Sequence, residues 1–378
     1  MDFGLTPDQE MLAETARQLL SAEAPPRVVR RVADDPQGLS PELVRKVAEQ
    51  GWFGLLVPES HGGLGLGLLD AAVILGELGR SLAPVPFLSS GVLATSLLLA
   101  AGSTAQKKAW LPRLASGDAF ATVAWIEESE RLDPAGIALR ARRARDRLRL
   151  SGAKRFVVDA QLADLLLVAA RTGSGTGPAG VTLLLVPRDT PGVSIVPLPS
   201  IDRTRRFFEV AFDDVAVAPS QVLGAEGKAW RHLETLLDVA SVAIAAESQG
   251  GAERALEMAV EYSKVREQFG RPVGSFQAVK HMAAECLSLV EPSRALVWYA
   301  AWAQQEIPKD ASRAASMAKA RLSEVYSRVA NVAVQMHGGI GFTWEHDMHF
   351  WFKRAKQSEM WFGEPAWHRE RVARTSGW

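Results

Sequence analysis

The stretch WFGEPAW, Trp361 to Trp367, sets one carboxylate, Glu364, between a glycine and a proline with aromatic residues on both sides. A carboxylate in an apolar, water-poor place is what proton abstraction needs. An acid followed by a proline is equally the start of a short helix. A second carboxylate, Glu247, sits among Ala245, Ala246 and Gly250 in a long helical pattern. It reads either as a base in an apolar site or as the partner of a cation inside a helix bundle. Two polar stretches point to ligand binding instead. In VREQFGRPVGSFQAVKH, Val265 to His281, a helix is expected to end at Gly270. Pro272 and Gly274 then enforce a turn, and Ser275 is expected to cap the next helix. Arg266, Gln268 and Gln277 cluster at that corner, and a guanidinium beside a helix start suits a diphosphate. An arginine at a helix end is also a routine dipole partner. In QMHGGIGFTWEHDMHFWFKR, Gln335 to Arg354, a helix ends at His337. Gly338 and Gly339 then allow a tight turn and close approach of a ligand to the main chain. Glu345 and His349 have i,i+4 spacing, but the paired histidines of a helical metal motif are missing, so no metal is expected.

The periodicity of the chain says what must hold these residues. Of the 378 residues, 1–118 read as an α-helical domain, opened by Thr6 as cap and Pro7. Residues 119–224 read as a β domain of short strands at about ten-residue spacing, a small barrel or sandwich. Residues 225–378 read as a helical bundle with three long helices, the second kinked at Pro292. The expected class is α+β in three segments, with no strand–helix alternation of the dinucleotide-binding type. Hydrophobic residues make up 47%, charged residues 23%, and the formal net charge is +0, which removes a whole-chain electrostatic case for nucleic acid or acidic membrane. The arginines of RARRARDRLRL alternate with Leu148, Leu150 and Ala141, as the wet face of a hairpin turning at Asp146 would. Cys286 is the single cysteine, so no internal disulfide is available and a reducing cytoplasm is expected. The start MDFGLTPDQE has no signal-like region, and no apolar run is long enough to span a bilayer.

The two polar stretches, correctly spaced with three long helices, resemble the C-terminal domain of acyl-CoA dehydrogenases. VPESHGGLG and LSGAKRFVVDAQLADLLLVAAR extend the resemblance over nearly the whole chain. It implies FAD-dependent α,β-dehydrogenation of an acyl-CoA, with electrons passed to an electron-transfer flavoprotein or another acceptor. A carboxylate takes the α-proton and hydride leaves the β-carbon for the flavin. The family's FAD lies across a subunit interface. By motif, Arg266, Gln268, Phe269, Phe276 and Gln277 would reach a neighbour's FAD, and Gln335, Met336, His337, Gly338 and Gly339 would form the other adenosine-side loop. The strand FVVD stands for the family's WITN, which puts Phe156 and Val158 against the chain's own flavin. Asp238 and Ser241 would lie on the substrate side.

The departures fall on the chemistry. The family's base position in YEGT is Phe362 here, and the alternative position on the first long helix is Ala240. Glu364 and Glu247 are the remaining candidates for the base. The surfaces lent to a neighbour's FAD are intact, whereas the chain's own flavin and substrate contacts are altered. That pattern is similar to the cofactor-lending subunit of heteromeric acyl-CoA dehydrogenases of lipid or steroid degradation, in which a paralogue supplies the glutamate. A homodimer or homotetramer acting alone, a heterotetramer with a paralogue, and a flavin monooxygenase or oxidase on the same fold all stay open.

Overall fold

The computed structural model describes residues 4–35 and 38–378. The first helical segment holds α1 (Pro7–Glu23), α2 (Pro26–Asp34), α3 (Pro41–Glu49), α4 (Leu68–Ser81), α5 (Thr95–Ala101) and α6 (Thr104–Ser116). Thr6 caps α1 as its sequence demands: its hydroxyl accepts from the Gln9 N–H at 3.3 Å, and the Gln9 side chain accepts from the Thr6 N–H at 3.1 Å. Between α4 and α5 the apolar run Phe87–Ala94 forms a buried π-helical turn that reaches the β domain.

The strands are β1 (Ala121–Ala124), β2 (Arg140–Ala144), β3 (Arg147–Val158), β4 (Leu165–Arg171), β5 (Val181–Pro187), β6 (Val193–Leu198), β7 (Phe207–Val217) and β8 (Val222–Leu223). They form one sheet in the order β6-β7-β3-β2-β4-β5-β8, with β1 parallel to β4. The β2–β3 hairpin closes with Ala144 opposite Arg147, and Arg145 at φ +57° makes the two-residue turn beside Asp146. Every residue of β4 is buried. Leu165, Leu167 and Ala169 join the core shared with the helices, while Leu166, Val168 and Ala170 join the strands' own core. A strand covered on both faces reads as a continuous apolar run, as LLLVAA does.

The third segment holds α7 (Trp230–Val265), the short hairpin β9 (Glu267–Gln268) and β10 (Arg271–Pro272), α8 (Gln277–Glu306), α9 (Pro308–His337), α10 (Met348–Met360) and α11 (Pro365–Thr375). Helices α7 to α10 make the bundle, and α11 packs on α9. Small residues set its tightest approaches. A Cβ at Gly250 of α7 would come within 1.8 Å of the Gly76 carbonyl of α4, and one at Gly79 within 2.0 Å of the Glu247 carbonyl. These glycines let α4 lie directly on α7, and Glu247 is buried beneath that crossing.

Helix α8 is continuous through Pro292, with Val290, Ser293 and Val297 buried on either side of it. Two local expectations change. Helix α7 stops at Val265 rather than Gly270, since Arg266 turns extended (φ −75°, ψ 122°) to enter the β9–β10 hairpin. Ser275 does not cap α8. Phe276 occupies the cap position, and no side chain bonds the helix's first N–H groups.

Candidate functional site

A cleft of about 560 Å³ opens between the β domain and the turn joining α10 to α11. Ile126, Phe156 and Phe207 line it from the sheet, and Trp361, Phe362 and Gly363 from the turn. Its wall is a chain of aromatic rings in edge or tilted contact. Phe156 meets Phe207 at 6.3 Å between ring centres, Phe207 meets Trp361 at 5.4 Å, Trp361 meets Phe362 at 4.9 Å, and Phe362 meets Trp125 at 5.8 Å. Phe156 and Phe362 both hold left-handed backbone, at φ +53° and +56°. That conformation costs a non-glycine residue on the order of 1–2 kcal/mol, so packing must hold both rings in place.

The two candidate bases fall on different sides of this wall. Glu364 lines the rim of the cleft, is exposed, and occupies the cap position of α11 without bonding its N–H groups. Glu247 lies behind the wall, not in it. Its Oε2 accepts from Arg205 Nη2 at 2.5 Å, Arg205 also donates to Gln357 Oε1 at 3.2 Å, and the guanidinium lies 5.1 Å from the Trp361 ring centre. Arg205 comes from the segment before β7, Glu247 from α7 and Gln357 from α10, so one cation ties three elements under the cleft wall. Glu247 borders a small polar cavity of about 30 Å³ with Asp159, Arg205 and Arg354. Burial pushes the Asp159 carboxyl up to about 6, against the pull of a 2.6 Å hydrogen bond donated by Ser89. Beside this group, Arg354 pairs with Asp202 and donates to Thr204 Oγ1 at 2.6 Å.

Asp238 and Ser241, expected on the substrate side, are not in the cleft lining. Asp238 accepts from Arg371 at 2.5 Å and from the Ser312 hydroxyl at 2.6 Å, and the Ser241 hydroxyl turns back to the Leu237 carbonyl at 2.6 Å. Arriving through α11, Arg371 takes the carboxylate into the bundle. Val158 is buried and brings no polar group to the cleft.

The lending surface divides. Arg266, Gln268, Phe269 and Gln277 are exposed, and Phe269 stands 92% open to solvent at φ +55°. Phe276, half-buried, meets Phe269 edge-on at 6.1 Å, with the Arg271 guanidinium 4.2 Å from its ring centre. The sequence reading missed Arg271; its place opposite Gln268 in the hairpin is the signal that could have found it. On the other loop, Gln335, Gly338 and Gly339 are exposed, and a Cβ at either glycine would meet nothing within 4 Å. Met336 and His337 point inward instead. Met336 joins the bundle core, and His337 stacks on Tyr262 at 4.6 Å with Nδ1 at 2.7 Å from the Ala333 carbonyl. They continue the buried face of α9 from Val329, Val332 and Ala333, a helical spacing visible in the sequence. Among the described residues, no group of three His, Cys, Asp or Glu side chains could hold a metal ion.

Family models place this arrangement. The acyl-CoA dehydrogenase N-terminal domain matches residues 6–118, the middle domain 122–215 and the C-terminal domain 227–377. The chain belongs to the acyl-CoA dehydrogenase family. It is an oxidoreductase of that family with its three-part architecture, helical, β-rich and helical. The acyl-CoA dehydrogenase IpdE2 of Mycolicibacterium smegmatis is 35% identical over 371 residues, 98% of each chain. Butyryl-CoA dehydrogenase from Megasphaera elsdenii superposes with a TM-score of 0.93 at 29% identity over 100% of both chains. The ChsE4–ChsE5 complex from Mycobacterium tuberculosis superposes with a TM-score of 0.89 at 31% identity, covering 100% of this chain and 99% of that one. Among the described residues, no helix is long and apolar enough to cross a membrane.

Proposed function

We propose that this chain is one component of an FAD-dependent acyl-CoA dehydrogenase that carries out α,β-dehydrogenation of an acyl-CoA, with the catalytic carboxylate supplied by a paralogous subunit. The observation that carries this reading is the cleft wall. Phe362 stands at the family's base position with its neighbours Trp361 and Trp125 packed on it, and Glu247 is committed to Arg205. A carboxylate held in a buried ion pair is stabilised in its charged form, and Glu247 lies outside the cleft lining, so it is poorly placed to take a proton from a ligand there.

The lending surface fits FAD. The first N–H groups of α8 are free of side-chain caps and favour an anion, and Arg266 and Arg271 bring cations to the same corner. Gln268 and Gln277 offer amides, and Phe269 and Phe276 offer ring faces to a flat heterocycle. Gly338 and Gly339 leave room for close approach to the backbone. When bound, FAD accepts the hydride from the β-carbon. The chain's own residues hold the cofactor's diphosphate and adenosine ends and exclude water with an aromatic wall. Electrons then pass to an electron-transfer flavoprotein or another acceptor. We place the enzyme in the cytoplasm as a heterotetramer. The test is purification from the native source. A homologous glutamate-bearing chain and stoichiometric FAD should come with this protein, and the isolated chain should be colourless and inert. A yellow homo-oligomer that reduces an artificial acceptor with an acyl-CoA would sink the proposal.

The position of Glu364 favours a second reading, because it is the carboxylate nearest the family's base in sequence and it lines the rim. In that case the chain works alone as a homodimer or homotetramer, and E364Q removes turnover.

A further inference from the structure

Two fully buried basic side chains, Lys319 of α9 and His368 of α11, converge on the backbone of the cleft turn without facing the cleft. Lys319 Nζ donates to the Gly363 carbonyl at 2.9 Å, the Glu359 carbonyl at 3.2 Å and the Ser323 hydroxyl at 3.1 Å. These three acceptors match the three N–H donors of an ammonium group. His368 Nε2 sits 2.9 Å from the Phe362 carbonyl, which makes it the donating nitrogen of a neutral ring. Successive carbonyls of Phe362 and Gly363 are thus held from two helices, at the point where the backbone runs through φ +56° and +102°. A Cβ at Gly363 would lie 3.0 Å from His368 Nε2 and 3.0 Å from the Trp367 ring, so the glycine is required by the clamp as well as by its φ. Left-handed backbone at Phe362 persists only where its surroundings over-determine it, and among the described residues no other polar side chain bonds these two carbonyls.

We propose that Lys319 and His368 are positioning residues: together they clamp the Phe362–Gly363 backbone and so fix the aromatic wall of the cleft. The functional consequence rests on the reading of the cleft as an acyl-CoA site, but the clamp itself does not.

The clamp has a titratable half. Burial pulls the Lys319 ammonium down to about 7, with the charges of Glu359 and Glu364 acting against that fall. The Glu359 carboxylate is itself engaged by the Ser327 hydroxyl at 2.6 Å and Lys356 at 3.1 Å. Burial, with the charges of Lys319 and Arg371 added, holds His368 near 3, so it stays neutral while Lys319 titrates. Above neutrality Lys319 loses its charge and one of its three donors, and the turn loosens.

The test uses the full chain, with its partner subunit and FAD if purification shows that it carries them. Tryptophan is replaced by 5-fluorotryptophan, and the Trp361 resonance is assigned with W361F. In the wild type that resonance should step with a midpoint of about 7. K319M should shift the resonance and abolish the step. K319R should keep the low-pH position without a step, because an arginine stays charged throughout. Octanoyl-CoA affinity, measured by calorimetry on the same samples, should fall about tenfold or more in K319M and be largely restored in K319R. A Trp361 resonance and an octanoyl-CoA affinity both unchanged in K319M would overturn the clamp. If K319M does not fold, H368A against H368Q decides in the same way, since H368Q keeps an N–H for the Phe362 carbonyl. Failure of the wild type to bind octanoyl-CoA counts against the acyl-CoA reading of the cleft, and the clamp then stands or falls on the resonance.

Discussion

Replacing Glu247 separates a base from a brace. Its partner Arg205 is only 8% exposed and has Gln357 and the Trp361 ring as its remaining neighbours. Removing one member of a buried pair costs about 3–5 kcal/mol, because the other charge stays buried and uncompensated. At about 2.1 cal/mol/K per residue, 378 residues unfold with an entropy of roughly 0.8 kcal/mol/K near 60 °C, so a cooperative transition would drop by about 4–6 °C. E247Q should show most of this loss, since the amide fills the space but leaves the guanidinium unpaired. The double replacement R205M/E247M, apolar on both sides, should recover much of it. The assay is thermal unfolding by circular dichroism, run beside turnover of the complete enzyme and the fluorescence of Trp361. In E247Q the melting temperature should fall and the fluorescence shift, with turnover reduced only as far as the cleft wall has moved. An E247Q protein with wild-type melting temperature and no turnover would refute the reasoning and make Glu247 the base.

E364Q should leave turnover within about twofold of wild type in the complete enzyme, because an exposed rim carboxylate can be replaced by water as a polar neighbour. A loss of a hundredfold in steady-state assays would give Glu364 the chemistry. Asp159 protonates at about 6 in the folded protein, above the unfolded value of about 4. Between those values the folded chain holds a proton that the unfolded chain has released, so stability falls as pH rises across that window. D159N keeps a side chain for Ser89 and removes the titration, so urea unfolding should find it more stable than wild type above pH 6, with the difference shrinking toward pH 4. Lys319 runs the other way. Its folded value near 7 lies below the ordinary 10.5, so the cost of burying its charge is present below 7 and is relieved as pH rises toward 10.5. The stability of wild type relative to K319M should therefore climb through that range, at no more than about 1.4 kcal/mol per pH unit.

The legible parts of the sequence were those whose partners are close in the chain. The β2–β3 hairpin, the Thr6 cap and the exposed corner at Arg266, Gln268 and Gln277 are set by neighbours within a few residues. Glu247 was ambiguous because its cation lies 42 residues earlier, in another structural segment, and nothing in either local run announces the pairing. The partner of Asp238 was equally out of sight, since Arg371 stands 133 residues away. The inward turn of Met336 and His337 was readable, since they continue the apolar spacing of α9, but the motif assigned the whole Gln335–Gly339 run to the adenosine-side loop. Lys319 and His368 carried no signal at all. A lysine in an alanine-rich helix reads as a solvated residue until the fold shows it enclosed by backbone carbonyls.

The cleft wall is built with more than stability alone would need. Phe362 keeps strained backbone, Lys319 is buried against backbone carbonyls, and Arg205 is brought from the β segment to sit under Trp361. Each of these is unfavourable in isolation: left-handed phenylalanine costs energy, and a buried ammonium or guanidinium costs desolvation. They persist together because each compensates another. The carbonyls exposed by the turn accept from the buried ammonium, and the carboxylate buried by the α4–α7 crossing accepts from the guanidinium. A chain that only lent an outer surface to a partner's cofactor would be stabilised by replacing such groups with apolar side chains of similar volume. Their presence together fits the role proposed above for this cleft, a wall whose geometry is itself used to bind an acyl group. The observation that would break this link is a double replacement, K319M with R205M/E247M, that raises stability and leaves acyl-CoA binding and turnover of the complete enzyme unchanged.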